Sequence, residues 1–261
     1  MKIPFLQPEN PLQAIGYKAD QEGIMNRCIR EKNNWKEHLK NTSEYIIKFC
    51  ELLPVDSSIA ILGSGWLLDV PVDYLLSKFC RIYLIDMCHP IQVKHKYKDK
   101  PNIIFVEKDL TGYASVVVKV ATNPKHGNII TALMNLQCVN VLADIECDAF
   151  LSVNILTQLD SLLCDYISSK NYFPAEQLNN FKKKLQVEHL KLLSAKPSCL
   201  ISDVQEVFLQ KNNTVVFRED TLTIRWPQGS YSENWNWVFD SKYTYHPRYK
   251  TNLSVKAEML F

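Results

Sequence analysis

Gly63 and Gly65, with Ser64 between them, follow the apolar run "SIAIL" at 58–62 in a chain that has only 7 glycines among 261 residues. Glycine reaches positive φ and lets another group approach the backbone closely. Two glycines here shape either a ligand-binding turn or a tight passage from strand to helix. Asp86 ends the next apolar run, "RIYLID", and Asp109 follows a third, "NIIFVEK". An acid about 20 residues beyond a glycine turn, closing the second strand, is placed to accept hydrogen bonds from ribose hydroxyls. Such an acid is also a common helix cap. The order strand, glycine turn, helix, strand, acid points to an adenosine-containing cofactor.

These residues meet only if the runs before them lie side by side. "CDAFLSVNIL" at 147–156 reads as a fourth strand and "SCLISDV" at 198–204 as a fifth. Between them "TQLDSLLCDYI" turns helical, and "PAEQLNNFKKKLQVEHLKLL" is a charged amphipathic helix. Strands alternating with helices predict an α/β fold with a parallel sheet, whose ligands bind outside the carboxyl ends of the strands. The ending is different. "TVVFRED", "TLTIRW", "WNWVFD" and "LSVKAEML" are β-rich with no long helix between them, and predict antiparallel strands closing the sheet. In "DVPVDYLLSKF", Asp69 is positioned to cap a helix and Pro71 suits its first turn. The first 20 residues carry three prolines and read as an extended arm. From Ile24 to Leu53 the pattern is helical, with Leu39, Ile46, Phe49 and Leu53 on one face and Pro54 ending it. The expected division is an arm and helical extension over 1–57 and a cofactor-binding domain over 58–261, with a helical insert at about 174–194.

Composition narrows the function classes. The chain is 46% hydrophobic and 22% charged, which excludes a disordered or fibrous protein. No apolar run reaches the roughly 18 residues of a membrane span. The first 20 residues lack the apolar core and cleavage site of a signal peptide, so a cytoplasmic protein is expected. Eight cysteines without a C-x-x-C pair read as buried thiols in a reducing compartment, and no metal site is expected. A net charge of +2 makes nucleic acid an unfavoured partner, and the basic run "VKHKYKDKP" at 93–101 reads as a solvated face.

The cofactor type follows in part from what is missing. The third glycine of a G-x-G-x-x-G turn is replaced by Leu68, and about 57 residues precede the first strand. Both features count against the alternative of an NAD(P)-dependent oxidoreductase. No G-K-[ST] follows the turn, which excludes a P-loop.

"AILGSGWLLDVP", "IYLIDMCHP", "FVEKDL" and "DAFLSVNIL", in that order, resemble the successive motifs of class I S-adenosylmethionine-dependent methyltransferases. The resemblance covers roughly residues 57–261. It implies a Rossmann-like methyltransferase sheet, with parallel strands closed by antiparallel C-terminal strands, and S-adenosyl-L-methionine as cofactor. By that likeness Gly63, Ser64 and Gly65 pass the amino-acid part of the cofactor and Asp86, with Met87 beside it, holds the ribose. Asp109 and Leu110 lie near the adenine, and the segment from Ser152 to Ile155 faces the transferring methyl. Trp66 either covers the cofactor or packs. Two positions depart from the family pattern: Ile61 stands where an acid is usual, and Trp66-Leu67 where a small residue is. They support the further alternative of a non-catalytic methyltransferase-like binding protein.

Upstream, Arg27 is a candidate to pair with the cofactor carboxylate, because a guanidinium matches it bidentately. Trp35, His38 and Thr42 either join it or only pack at a helix end. Asn154 is the candidate catalytic residue, able to orient an acceptor through its amide, with Gln158 one turn on. Both are also placed to cap the next helix. The stretch from Arg225 to Tyr249 holds three Trp and four Tyr, which line small-molecule pockets or fill cores. The expected acceptor is a small molecule.

Overall fold

The computed structural model describes residues 14–121, 129–136, 140–170 and 174–261. The core of the fold is a mixed sheet built on β1 (Ser58–Leu62), β2 (Arg81–Asp86), β3 (Ile103–Glu107), β4 (Ala149–Val153) and β5 (Ser198–Leu209). These five are parallel and lie in the order β3-β2-β1-β4-β5. The winding direction reverses between β1 and β4, which makes their carboxyl ends the crevice where ligands bind in such sheets. β6 (Val215–Asp220), β7 (Tyr231–Asp240) and β8 (Lys250–Leu260) follow. β8 runs antiparallel between β5 and β7, and β6 pairs antiparallel with the far half of β5. The expected Rossmann-like sheet with antiparallel closing strands is therefore present.

Alternation along each strand builds two cores. Ile59 and Ile61 of β1, Leu84 of β2 and Leu151 of β4 face α2 (Lys32–Glu51), where Trp35, Tyr45, Ile46 and Phe49 cover them. Ala60, Leu62, Ile85, Phe150 and Leu200 face the other way, against Leu190 and Leu193 of α8 (Ala175–Leu193). Both faces are covered, so the strands read as continuous apolar runs. Each large apolar side chain so buried contributes about 1.5–3 kcal/mol.

Several expectations are corrected. Residues 1–13 of the proposed arm lie outside the described residues, but 17–20 are helical, because α1 spans Tyr17–Arg30 after Gly16 at φ 90°. The helical stretch from Ile24 is not continuous: α1 and α2 part at Glu31, whose carboxylate, 1% exposed, accepts hydrogen bonds from Asn34 and from the backbone and hydroxyl of Ser241. Asp69 caps no helix, since α3 (Val72–Lys78) starts after Pro71 without a side-chain cap. "TLTIRW" is not a strand. Gln186 of α8 takes the Thr223 amide and hydroxyl, at 2.9 Å each, that a ladder would need. α8 also does more than fill an insert: with α7 (Ser161–Lys170) it forms the crossover that lets β5 lie parallel to β4.

Candidate functional site

A cavity of about 650 Å³ opens at the carboxyl edge of β1, β2 and β4, with α1 over it. The glycine turn forms its floor. Gly63 has φ 74°, and a Cβ there would sit 2.8 Å from Ile155 Cγ1. The amides of Gly63 and Ser64 both bond the Ile85 carbonyl, at 2.9 and 3.1 Å, which ties the turn to β2. Gly63→Ala is expected to cost about 1–3 kcal/mol through positive φ and overpacking. Thermal unfolding checks it, and an unchanged Tm would show that Ile155 yields freely.

Asp86 closes the turn from the β2 side. Its Oδ2 accepts the Gly65 amide at 2.7 Å, and its Oδ1 accepts Gln21 Nε2 of α1 at 3.1 Å. Burial pushes this carboxyl up to about 6, against the opposing pull of its hydrogen bonds from Gly65, Cys88, Met87 and Gln21. Gln21 also donates to the Cys88 carbonyl at 2.8 Å and accepts Trp66 Nε1 on its own carbonyl at 2.8 Å. Trp66 therefore packs under α1 while lining the cavity. Asp109 also lines the cavity, but as a local cap. Its Oδ1 accepts the Thr111 amide and hydroxyl, and its Oδ2 accepts the Ala114 amide, at 2.7 Å, opening α5 (Ala114–Ala121). Tyr17 of α1 faces both acids. Burial, with Asp109 and Asp86, holds its phenol protonated as a hydrogen-bond donor.

At the end of β4, Asn154 adopts φ 52°, and its Nδ2 donates to Asp69 Oδ2 at 2.8 Å. It does not cap α7, which starts seven residues on. Its Oδ1 is buried without a partner. Behind it His38 accepts Trp235 Nε1 at its Nδ1, at 3.0 Å. Indole only donates, so a neutral His38 carries its hydrogen on Nε2, which lies 3.3 Å from the side-chain amide of Asn154 and 3.9 Å from Asp69 Oδ2. Burial lowers His38 to about 3 and raises Asp69 to about 6, the latter opposed by hydrogen bonds from its own backbone and Asn154. His38 thus stays neutral around pH 7.

Of the residues singled out in the sequence, the cavity gathers Arg27, Gly63, Ser64, Gly65, Trp66, Asp86, Met87, Asp109, Leu110 and Asn154, with Trp35, His38 and Gln158. Ser152 is not among them. Strand alternation turns its hydroxyl to the opposite face, 2.8 Å from His189 Nε2 of α8. Thr42 packs, fully buried, inside the core face of α2. The structure adds Tyr17, Asp20, Gln21 and Ile24 of α1, together with Asp69. The spacing 17, 20, 21, 24, 27 is one helical face and was available in the sequence; Asp69 carried no such signal.

No family model and no curated protein matches the sequence. Among solved structures, the chain is similar to the DhpI–SAH complex at 10% identity and a TM-score of 0.38, over 93% of this chain and 96% of that one. It is also similar to the small RNA methyltransferase HEN1 at 12% identity and a TM-score of 0.25, over 100% of this chain and 28% of that one. The class of protein is set by the geometry above: a Rossmann-like α/β chain with a cavity at the carboxyl edge of its sheet. No described helix is long and apolar enough to cross a membrane.

Proposed function

We propose that this chain is an S-adenosylmethionine-dependent methyltransferase acting on a small-molecule acceptor, and that the cavity under α1 holds the cofactor. The observation that carries this reading is the meeting of Gly63, Gly65 and Asp86 in one cavity at the strand crossover. The residues present fit the group. Gly63 and Gly65, both at positive φ, line the cavity without side chains, and Asp86 has ribose-accepting oxygens beside them. Among the described residues, ten carboxylates and only three Lys or Arg side chains line the cavity. That lining favours a sulfonium, which is cationic, over a dinucleotide with an anionic pyrophosphate. A pyrophosphate also needs a helix N-terminus at the glycine turn. Here α3 begins only at Val72, and the Gly65 amide is already given to Asp86.

In this reading Gly63, Ser64, Gly65 and Trp66 bound the amino-acid part of the cofactor. Asp86 and Met87 hold the ribose, Asp109 and Leu110 border the adenine, and Arg27 awaits a carboxylate. Bound S-adenosylmethionine supplies an electrophilic methyl group. The chain's share is to orient the reactants and keep water out. Asn154, locked by Asp69, presents a fixed amide to the acceptor. Within the helical extension α1 acts as the cover, and 58–261 is the cofactor domain. Ile61 is 1% exposed in the β1 core, so its apolar side chain serves packing and argues for no loss of activity.

Calorimetry tests the reading: heat with S-adenosylmethionine or SAH and none with a nicotinamide dinucleotide is expected, and the reverse overturns it. The cover has its own test. Removing residues 1–23 takes away Tyr17 and the Gln21 contacts to Asp86 and Trp66, but leaves Ile24 and Cys28 on the core. SAH affinity is expected to fall several-fold and amide exchange at 62–68 to rise, with the sheet still folded. If both match the full-length chain, α1 is a packing strap and no lid.

A further inference from the structure

The cavity continues past Asn154 to an end walled by Thr157, Asp203, Glu206, Trp237, Phe239 and Tyr245. Two hydrogen-bond donors there lack protein partners. Arg27 feels the charges of Asp240 and Asp20 but forms no close ion pair among the described residues, and its Nε–H is buried without an acceptor. Its guanidinium carbon lies 4.7 Å from the Phe239 ring centre and 5.3 Å from that of Tyr245. Trp237 is 7% exposed, and its Nε1–H is likewise buried and unpartnered. Its ring meets Phe239 edge-on at 4.9 Å. A buried indole N–H and a buried guanidinium N–H usually find partners, and each one left without costs stability. Both residues flank the Phe239 ring and line the same cavity. Their shared complement is a carboxylate.

The same end carries opposite charge close by. Tyr245 lies under Arg27 and gives its hydroxyl to Glu206 Oε1. Asp203 accepts Thr157 Oγ1 at 2.6 Å. Neither Asp203 nor Glu206 has an ion-pair partner among the described residues. A simple anion entering this end would meet those carboxylates, whereas a ligand with a cationic group as well would satisfy both sets.

We propose that the acceptor is an amino carboxylate, with its carboxylate received by Arg27 and the Trp237 N–H and its ammonium by Asp203 and Glu206. This rests on the methyltransferase reading for the word acceptor, while the binding claim stands on the geometry alone. The carboxylate has two available sources, the acceptor and the amino-acid tail of the cofactor, and the proposal assigns it to the acceptor.

The test uses the full chain, with and without saturating SAH. Binding of glycine, β-alanine and 4-aminobutyrate is measured by ligand-observed NMR, beside the matched amines methylamine, ethylamine and propylamine. At least one amino carboxylate is expected to bind, ten-fold or more tighter than its matched amine. Arg27→Met is expected to lose that preference. Trp237→Phe keeps the ring and removes the N–H, and is expected to weaken the same probe several-fold. If Arg27→Met instead weakens SAH while decarboxylated S-adenosylmethionine binds both chains equally, the carboxylate is the cofactor's and the proposal is overturned. It is equally overturned if amines bind as well as their amino carboxylates, or if no probe binds. A wild-type chain that binds probes but no SAH would sink the methyltransferase reading and leave the subsite intact.

Discussion

Asp86→Ala is expected to weaken S-adenosylmethionine and SAH binding by about 1.5–3 kcal/mol, the range for hydrogen bonds to a charged group. That is roughly 10- to 150-fold in affinity. The carboxylate does two jobs at once: it holds the Gly65 amide at 2.7 Å and, in the proposed function, the ribose hydroxyls. Asp86→Asn separates them, because an amide oxygen can still accept Gly65 while the charge is gone. Its affinity is expected to fall between wild type and Ala. Acid should act in the same direction. The Asp86 carboxyl titrates at about 6 in the fold, so it is ionised at pH 8 and protonates as pH falls through 6. Affinity for SAH is expected to be level from pH 8 to 7 and then to fall toward ten-fold per pH unit, with Asp69, also at about 6, free to add to the slope. Asp86→Asn should lose its part of that slope. Full affinity in a folded Asp86→Ala chain would return Asp86 to the plain role of tying β2 to the glycine turn.

The second large effect is structural. Asp240→Ala is expected to destabilise the fold by about 2–4 kcal/mol, because it strips acceptors from buried amides. Asp240 is 0% exposed at the end of β7. Its Oδ2 accepts the Thr244 and Tyr245 amides at 2.7 and 2.9 Å, and its Oδ1 accepts the Thr244 hydroxyl at 2.8 Å. This carboxylate thereby shapes the 241–245 turn and sets Tyr245 beneath Arg27. Burial alone would raise its pKa, but the hydrogen bonds from Tyr245, Thr244 and Lys242 outweigh burial and hold it below the usual range. A depressed carboxyl contributes stability that is present above its unfolded pKa of about 3.9 and lost as pH falls through the lower folded value. Asp69 and Asp86 have the opposite sign: their contribution is full below about 4 and lost as pH rises through about 6. Chemical denaturation of wild type and Asp240→Ala from pH 3 to 7 checks this, the difference between them shrinking only at the acid end. A constant difference across that range would mean that Asp240 acts by shape and not by charge.

The apolar runs of β1 to β5 determined the sheet without help from anything distant. Each is long enough for one strand, and a run covered on both faces needs no partner to be recognised. The glycine turn and Asp86 were legible for the same reason, since both sit at strand ends whose register follows from the sheet. Arg27 was legible as a candidate partner for a carboxylate, but not its wall: Phe239 and Tyr245 lie more than 200 residues away and arrive only because β7 pairs with β8 and packs on α2. Ser152 shows the finer limit. Its place in β4 was readable, yet which face it took depended on a register with β1 and β5 that sends alternate residues to opposite cores. Asp69 and His38 show the rest. A carboxylate in a loop and a histidine in a helix carry no shared spacing, and only the crossing of α2 over the sheet edge brings them to Asn154. Patterns of period two or three to four decide which element forms; contacts between elements are chosen by packing, and that choice exists only in the folded chain.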